Sequence, residues 1–459
     1  MGLESFELEP TRENIIRSIE QDIFGRNEDV WRFASFCSMM EGRSSIAIDG
    51  RWGEGKTFFI KETQILFESK NSLTNAVSKE ERDKVNLAFS KYNDPENIDQ
   101  QVCVYYDAWA NDNQNDPILS IVYQILQDTD ADNLLAKNGK LFDIAASMAD
   151  LLTGRDVAEF WSNIQKKDPI DSVRKTNTLK EDVTELLNTV IQERGNRLVI
   201  FIDELDRCRP DYAVCLLERI KHYFSIETVT FVFAVNLVEL QHTIRRFYGN
   251  NFDADRYLDR FFDYRISLPP ANMEKYYMEI GLRDQYGYYE KVCKAVMRYC
   301  NFSIRETERF YRSAKIAIKK YFDVRGRDYD DERVKATRFS SLVFVPLLIG
   351  LRMQSMSLYT AFTNGDDGTP LVDLFSRAPE VLSACADLLN DAETYKQINS
   401  ETKKLVQPKD KLLQAYGAVF GKNNSSVGMG VLVGNSLFYP GIKQEVLRAA
   451  NLLSDQLGI

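Results

Sequence analysis

The chain has 459 residues, 44% of them hydrophobic and 12% aromatic, which is enough apolar material for a large core and excludes disorder as a description of the whole. At roughly 150 residues per domain, that length predicts about three structural units. A net charge of −10, from 58 Lys and Arg against 68 Asp and Glu, argues against a dedicated nucleic-acid coat protein. Seven cysteines and two histidines make neither a disulfide framework nor an evident zinc site.

Residues 11–40 alternate charge with Ile, Phe, Trp and Met at helical spacing. Ser44–Asp49 is short, branched and bounded by Gly50, which predicts a buried strand, with a helix following from Lys56 to about Ser69. The polar stretch 70–99 reads as a surface excursion, and Gln101–Tyr106 as a second strand. Residues 116–194 show only helical patterns, broken at Asn138-Gly139, Gly154 and Asp168-Pro169. Arg197–Ile202, Thr228–Val235 and Tyr264–Leu268 read as three further strands, the last closed by Pro269-Pro270.

Beyond residue 271 every periodic segment is helical, although the apolar, glycine-rich Gly428–Gly434 suits a tight packing or strand element. The longest apolar run, Leu342–Leu351, contains Pro346 and falls short of the ~20 residues a membrane helix needs. The first residues, Met1 to Ser5, do not resemble a secretory signal, so the expectation is a cytoplasmic chain with no membrane span. The predicted fold class is α/β, with a parallel sheet and helices alternating with its strands. Its parts are an N-terminal helical segment at 1–43, a core at 44–270 with a helical insertion at 116–194, a helical lid at 271–330 and a helical C-terminal domain at 331–459.

Gly50-Arg51-Trp52-Gly53-Glu54-Gly55-Lys56-Thr57 fits G-x-x-x-x-G-K-[ST] between a predicted strand and a predicted helix. Glycines let backbone amides wrap a phosphate, the helix N-terminus adds partial positive charge, Lys56 reaches outer phosphates and Thr57 can hold Mg²⁺. Leu198-Val199-Ile200-Phe201-Ile202 runs straight into Asp203-Glu204, placing two carboxylates at a buried strand's end. Asp203 suits Mg²⁺, which takes hard oxygen ligands, and Glu204 suits deprotonation of an attacking water. Asn236 ends the fourth strand, where it can position water or the γ-phosphate or simply cap the next helix. Trp109 after a strand is more often a packing residue, and Arg207 is expected to pair with Asp206 or a neighbour.

These motifs, with Tyr105-Tyr106-Asp107-Ala108-Trp109 and Asp203-Glu204-Leu205-Asp206-Arg207-Cys208-Arg209-Pro210, together resemble the KAP P-loop NTPases, additional-strand ATPases related to the AAA+ and STAND groups. Asp22-Ile23-Phe24-Gly25-Arg26, Tyr257-Leu258-Asp259-Arg260 and Ile266-Ser267-Leu268-Pro269 extend the resemblance over residues 15–325. It implies a three-layer P-loop core and an ATPase using ATP and Mg²⁺. Gly50, Trp52, Gly53, Glu54, Gly55, Lys56, Thr57 and Phe58 would line the nucleotide, and Thr57 and Asp203 the metal. Glu204 would be the base and Asn236 the γ-phosphate sensor.

A finger arginine reaching a neighbouring subunit is implied near Arg256 and Arg260, and a lid arginine at Arg305, with Arg309 second. The alternative for Arg256 and Arg260 is pairing with Asp255, Asp259 and Asp263 on a solvated face. Asp107 stands where the family has Asn, and many relatives carry Asp where this chain has Glu204. Many also carry two membrane helices between the phosphate loop and the acidic strand, where this chain has amphipathic, charged segments.

From Arg298 to Arg327 nine basic residues face only Glu306, Glu308 and Asp323; a solvated lid face is the simpler account, and nucleic acid on it the less favoured one. Bacterial relatives imply a role in antiviral defence, a finger in trans implies a homo-oligomer, and the absence of a nuclease, protease or deaminase signature leaves any effector to a separate protein. The competing expectation is a nucleotide-sensing scaffold that turns over little or nothing and controls an effector or a membrane-linked complex; a small-molecule or nucleic-acid kinase on the same phosphate loop is a third, which the strand-end Glu204 and the long lid disfavour.

Overall fold

The computed structural model describes residues 9–74, 76–92, 98–114, 116–129, 176–224, 226–282, 288–321, 331–378, 408–422 and 430–451. The middle of the expected insertion and part of the glycine-rich stretch at 428–434 lie outside the described residues. The chain divides into two compact units, one of residues 8–276 and one built from residue 277 onward.

The first unit begins with α1 (Arg12–Gln21), capped by the Thr11 side chain, and α2 (Asn27–Ser38). Then come β1 (Ser44–Asp49), α3 (Lys56–Lys70), α4 (Lys79–Phe89), β2 (Gln101–Asp107), α5 (Pro117–Asp128), α6 (Thr176–Arg194) and β3 (Arg197–Asp203). They are followed by α7 (Pro210–Tyr223), β4 (Val229–Val235), α8 (Leu237–Tyr248), α9 (Ala254–Leu258) and β5 (Tyr264–Ser267), and the division at residue 276 falls within α10 (Met273–Glu279). The five strands form one sheet in the order β2-β3-β4-β1-β5, every neighbouring pair parallel.

Strands buried on both faces read as unbroken apolar runs, and β3 and β4 are buried along their whole length. The two-residue period of β2 shows both coverings. Lys61 of α3 lies 4.3 Å from the Tyr105 ring, whereas the Tyr106 hydroxyl meets Ser120 of α5 at 2.9 Å and Tyr212 of α7 at 2.6 Å. Helices on opposite faces of a parallel sheet make the three-layer α/β core. Its register aligns Asp49 with Val235 and Asp107 with Asp203, so the ends of β1 to β4 converge on one edge, the usual ligand side of such a sheet.

Two expectations change. The stretch at 70–99 contains α4, whose start is a capping box in which Ser78 and Glu81 each accept the other's backbone N–H. Its apolar residues Val85 and Phe89 are buried, so a mostly polar sequence still supplies a packed helix. Beyond residue 271 the chain is not wholly helical: β6 (Val431–Val433), inside the stretch read as a packing or strand element, forms an antiparallel hairpin with β7 (Ser436–Phe438), which was not expected. Gly434, at φ 57°, supplies the left-handed residue its two-residue turn requires.

In the second unit these strands follow α11 (Tyr288–Tyr299), α12 (Ile304–Tyr321), α13 (Glu332–Phe339), α14 (Val345–Gln354), α15 (Met356–Thr363), α16 (Thr369–Arg377) and α17 (Pro408–Phe420), and α18 (Ile442–Asn451) closes the unit. Phe344 packs edge-to-face with Phe339, Phe362 and Phe420. The continuous helical stretch Glu332–Gln354 is long and apolar enough to cross a membrane, yet 72% of its apolar window is buried inside the protein, as in a core helix. Gly350 makes that packing possible, since a Cβ there would lie 2.4 Å from Val296 of α11.

Candidate active site

Gly50 leaves β1 and the chain turns through Gly53 and Gly55, at φ 82° and 88°, conformations that suit residues without a Cβ. α3 starts at Lys56, so its free backbone N–H groups face the loop. Lys56 Nζ donates to the carbonyls of Gly50 at 2.7 Å and Arg51 at 3.3 Å. Burial lowers its pKa, opposed by the charges of Asp206, Asp203, Glu204 and Glu54. Glu54 folds back to accept from the Arg51 backbone N–H and Nε, both at 2.8 Å, and Phe58 anchors the helix by an edge contact with Phe24.

The strand-end acids meet this loop. Thr57 Oγ1 donates to Asp203 Oδ2 at 2.6 Å, and the Tyr105 hydroxyl donates to the same oxygen at 3.1 Å. The other oxygen, Oδ1, accepts the Glu204 backbone N–H at 2.9 Å. Asp203 is 1% exposed, and burial raises its pKa against these donors. Thr57 and Asp203 thus present two adjacent hard oxygen donors beside a phosphate-type loop, a donor set that fits Mg²⁺.

Glu204 stands in the left-handed region at φ 61°, uncommon for a residue with a side chain. Its carboxylate forms an ion pair with Arg207 on the turn that follows. Burial, then the neighbouring Asp203 charge, pushes its pKa up to about 7.

The other expected residues fall in different places. Asn236 ends β4 beside β1, and its Oδ1 accepts the Glu239 N–H at 3.4 Å, so it caps α8. Arg256 and Arg260 are exposed, but Asp255 and Asp259 pair with Arg265, at 2.9 and 2.7 Å, and Asp263 accepts from the Ser45 backbone at 2.8 Å. The Arg260 carbonyl accepts from Lys221, and the carbonyl of the next residue, Phe261, accepts from Ser45 Oγ at the start of β1. Arg260 therefore lies at the sheet edge opposite the phosphate loop, about 20 Å away along six residues of strand. Arg305 and Arg309 are exposed on α12 in the other unit, where Arg312 pairs with Glu308.

Three contacts escaped the motif reading. Arg26, 3% exposed, donates to the Glu54 carbonyl within the loop at 3.0 Å. Trp52 Nε1 donates to Asp206 at 2.5 Å, and Tyr105 holds Asp203. Period two along Tyr105-Tyr106-Asp107 was the available signal for Tyr105, since it shares the face of the strand-end acid. Trp109 departs from the packing expectation and is 52% exposed. Asp107 accepts the Ala110 N–H at 2.9 Å, a turn-capping role that an amide oxygen also performs, so the Asn-to-Asp departure keeps the turn.

A family model described as the KAP family P-loop domain matches residues 35–290, more than half of the chain. Among proteins with curated descriptions none matches. Among solved structures, the chain is similar to the Aeropyrum pernix ORC1 protein in complex with DNA, at 13% identity and a TM-score of 0.32 over 93% of this chain and 92% of that one. That likeness is too low to carry an argument. With the family's loop, strand-end acids and sheet in place, the chain belongs to the KAP family of P-loop NTPases.

Proposed function

We propose that the chain is a Mg²⁺-dependent ATPase whose cycle drives a conformational or assembly switch. The observation that carries this reading is the 2.6 Å contact between Thr57 and Asp203, which joins the phosphate loop to the strand-end acids. Mg²⁺, when bound, supplies charge neutralisation at the phosphates, with Thr57 and Asp203 as its protein ligands. Lys56 exchanges its loop carbonyls for the β- and γ-phosphate oxygens, and the loop amides bind the rest. Glu204 accepts the proton of a water whose oxygen attacks the γ-phosphorus as the bond to ADP breaks. Asn236 keeps its capping bond through Oδ1 and offers its NH₂ group toward that water or the γ-phosphate.

Arg260, a strand's length from its own loop, acts only from a second copy, with Arg256 as the other choice, so the active form is a homo-oligomer. Arg305 serves as the lid arginine. ATP as the substrate and a role in bacterial antiviral defence are supported by the family resemblance; a cytoplasmic setting and a separate effector chain complete the proposal.

Phosphate release from ATP with Mg²⁺ tests the reading, across a protein concentration series and in Lys56→Ala and Glu204→Gln. The expected result is loss in both variants and specific activity that climbs with concentration. Negligible release by the parent at every concentration, with nucleotide still bound, would replace the ATPase with a nucleotide-sensing scaffold.

A further inference from the structure

Two exposed indoles flank the turn after β3. Trp52 projects from the phosphate loop and is 45% exposed; Trp109 projects from the turn after β2 and is 52% exposed. The Arg207 guanidinium lies over both, with its Cζ 5.8 Å from the Trp52 ring centroid and 5.6 Å from that of Trp109. Trp52 is itself fixed, through the bond from Nε1 to Asp206. Arg207 in turn forms the ion pair with Glu204. Among the described residues no other donor reaches the Glu204 carboxylate, and its Oε2 is buried without a hydrogen bond of good geometry.

We infer that Arg207, seated between Trp52 and Trp109, is the positioning residue of the Glu204 carboxylate. The inference rests on the reading of Glu204 as the base. A planar guanidinium stacks on aromatic faces while its edge stays free for a carboxylate, so the two indoles set where the arginine stands and the arginine sets where the carboxylate stands. A surface ion pair alone would be mobile and weak. Here the cation lies within 6 Å of two indoles, one of them on the phosphate loop itself. The large exposed indoles thereby acquire a role that packing does not explain.

The test uses the full chain in two arms. In the first, Trp109 emission and its acrylamide quenching, isolated by difference from Trp109→Phe in each background, are read without nucleotide. Glu204→Gln is expected to shift the Trp109 signal in the same direction as Arg207→Ala. A signal blind to Glu204→Gln overturns the inference, whether or not the protein hydrolyses ATP. In the second arm, Arg207→Ala lowers kcat roughly tenfold or more and leaves nucleotide affinity within about twofold.

Trp109→Ala lowers kcat in the parent and adds nothing in the Arg207→Ala background, a non-additivity that independent structural damage does not produce. An unchanged or raised kcat in Arg207→Ala, or additive losses, overturns the inference. A parent without turnover sinks the ATPase reading alone, and the emission arm then decides the placement of the Glu204 side chain.

Discussion

The Tyr105 hydroxyl and the Thr57 hydroxyl donate to one and the same oxygen of Asp203, from β2 and from the start of α3. A buried carboxylate needs such donors, and a hydrogen bond to a charged group contributes about 1.5–3 kcal/mol. Tyr105→Phe removes one donor and little else. Its chemical denaturation midpoint should fall by the equivalent of about 1–3 kcal/mol. A midpoint equal to the parent's would mean that Thr57 and the Glu204 amide suffice.

Arg26 stiffens the phosphate loop from beneath, through its bond to the Glu54 carbonyl. Arg26→Ala frees that carbonyl and weakens the preorganisation of the loop amides. Calorimetric titration with nucleotide should show affinity reduced about tenfold, the worth of one charged hydrogen bond. Affinity equal to the parent's would show that the glycines alone set the loop.

Behind the loop, Glu62 is fully buried, accepts from the Ser18 hydroxyl at 2.5 Å, and is pushed by burial up to about 7, with the Arg26 charge opposing. In the unfolded chain its proton leaves near 4.5, so between about 4.5 and 7 the folded state holds a proton the unfolded state has lost. Folding stability contributed by this group therefore falls as pH rises through that window and is flat above it. Glu62→Gln cannot ionise and should melt higher than the parent at pH 8, by on the order of 1–3 kcal/mol, with the difference closing toward pH 4. Melting curves across that range check it, and a difference independent of pH would contradict the assignment.

Gly350→Ala tests the second unit by itself. The added methyl group would meet Val296 at 2.4 Å, against a helix-propensity gain of at most about 1 kcal/mol. Overpacking should win by about 1–3 kcal/mol, seen as a lower melting temperature. A Val296→Ala change in the same chain should recover part of the loss.

The phosphate loop and strand-end acids were legible because each is local: glycines, Lys56 and Thr57 lie within eight residues, and Asp203-Glu204 directly follow an apolar run. The strands were legible for the same reason, since burial on both faces leaves an unbroken apolar segment between turn residues. Helix α4 was missed although Ser78 and Glu81 carried its capping signal, because most of its face is polar. Of the β6–β7 hairpin only the glycine-rich first strand drew notice, because three residues per strand are too few for a period to register.

What sequence order cannot show is the choice of partner across distance. Trp52 finds Asp206 from 154 residues away, and Arg26 reaches Glu54 across 28. For Arg256 and Arg260 the sequence offered pairing with nearby acids as the alternative to a finger, and it is Arg265 that holds two of those acids. Position on a helix limits which charges can meet, but packing decides which do.

Glu204 sits at a backbone position where glycine would be at ease, since φ 61° costs a residue with a Cβ roughly 1 kcal/mol. Stability and chemistry therefore pull this position in opposite directions. A library selected only for resistance to heat or denaturant should drift toward Gly or Asn at 204, and the proteins it enriches would keep their fold while losing the carboxylate.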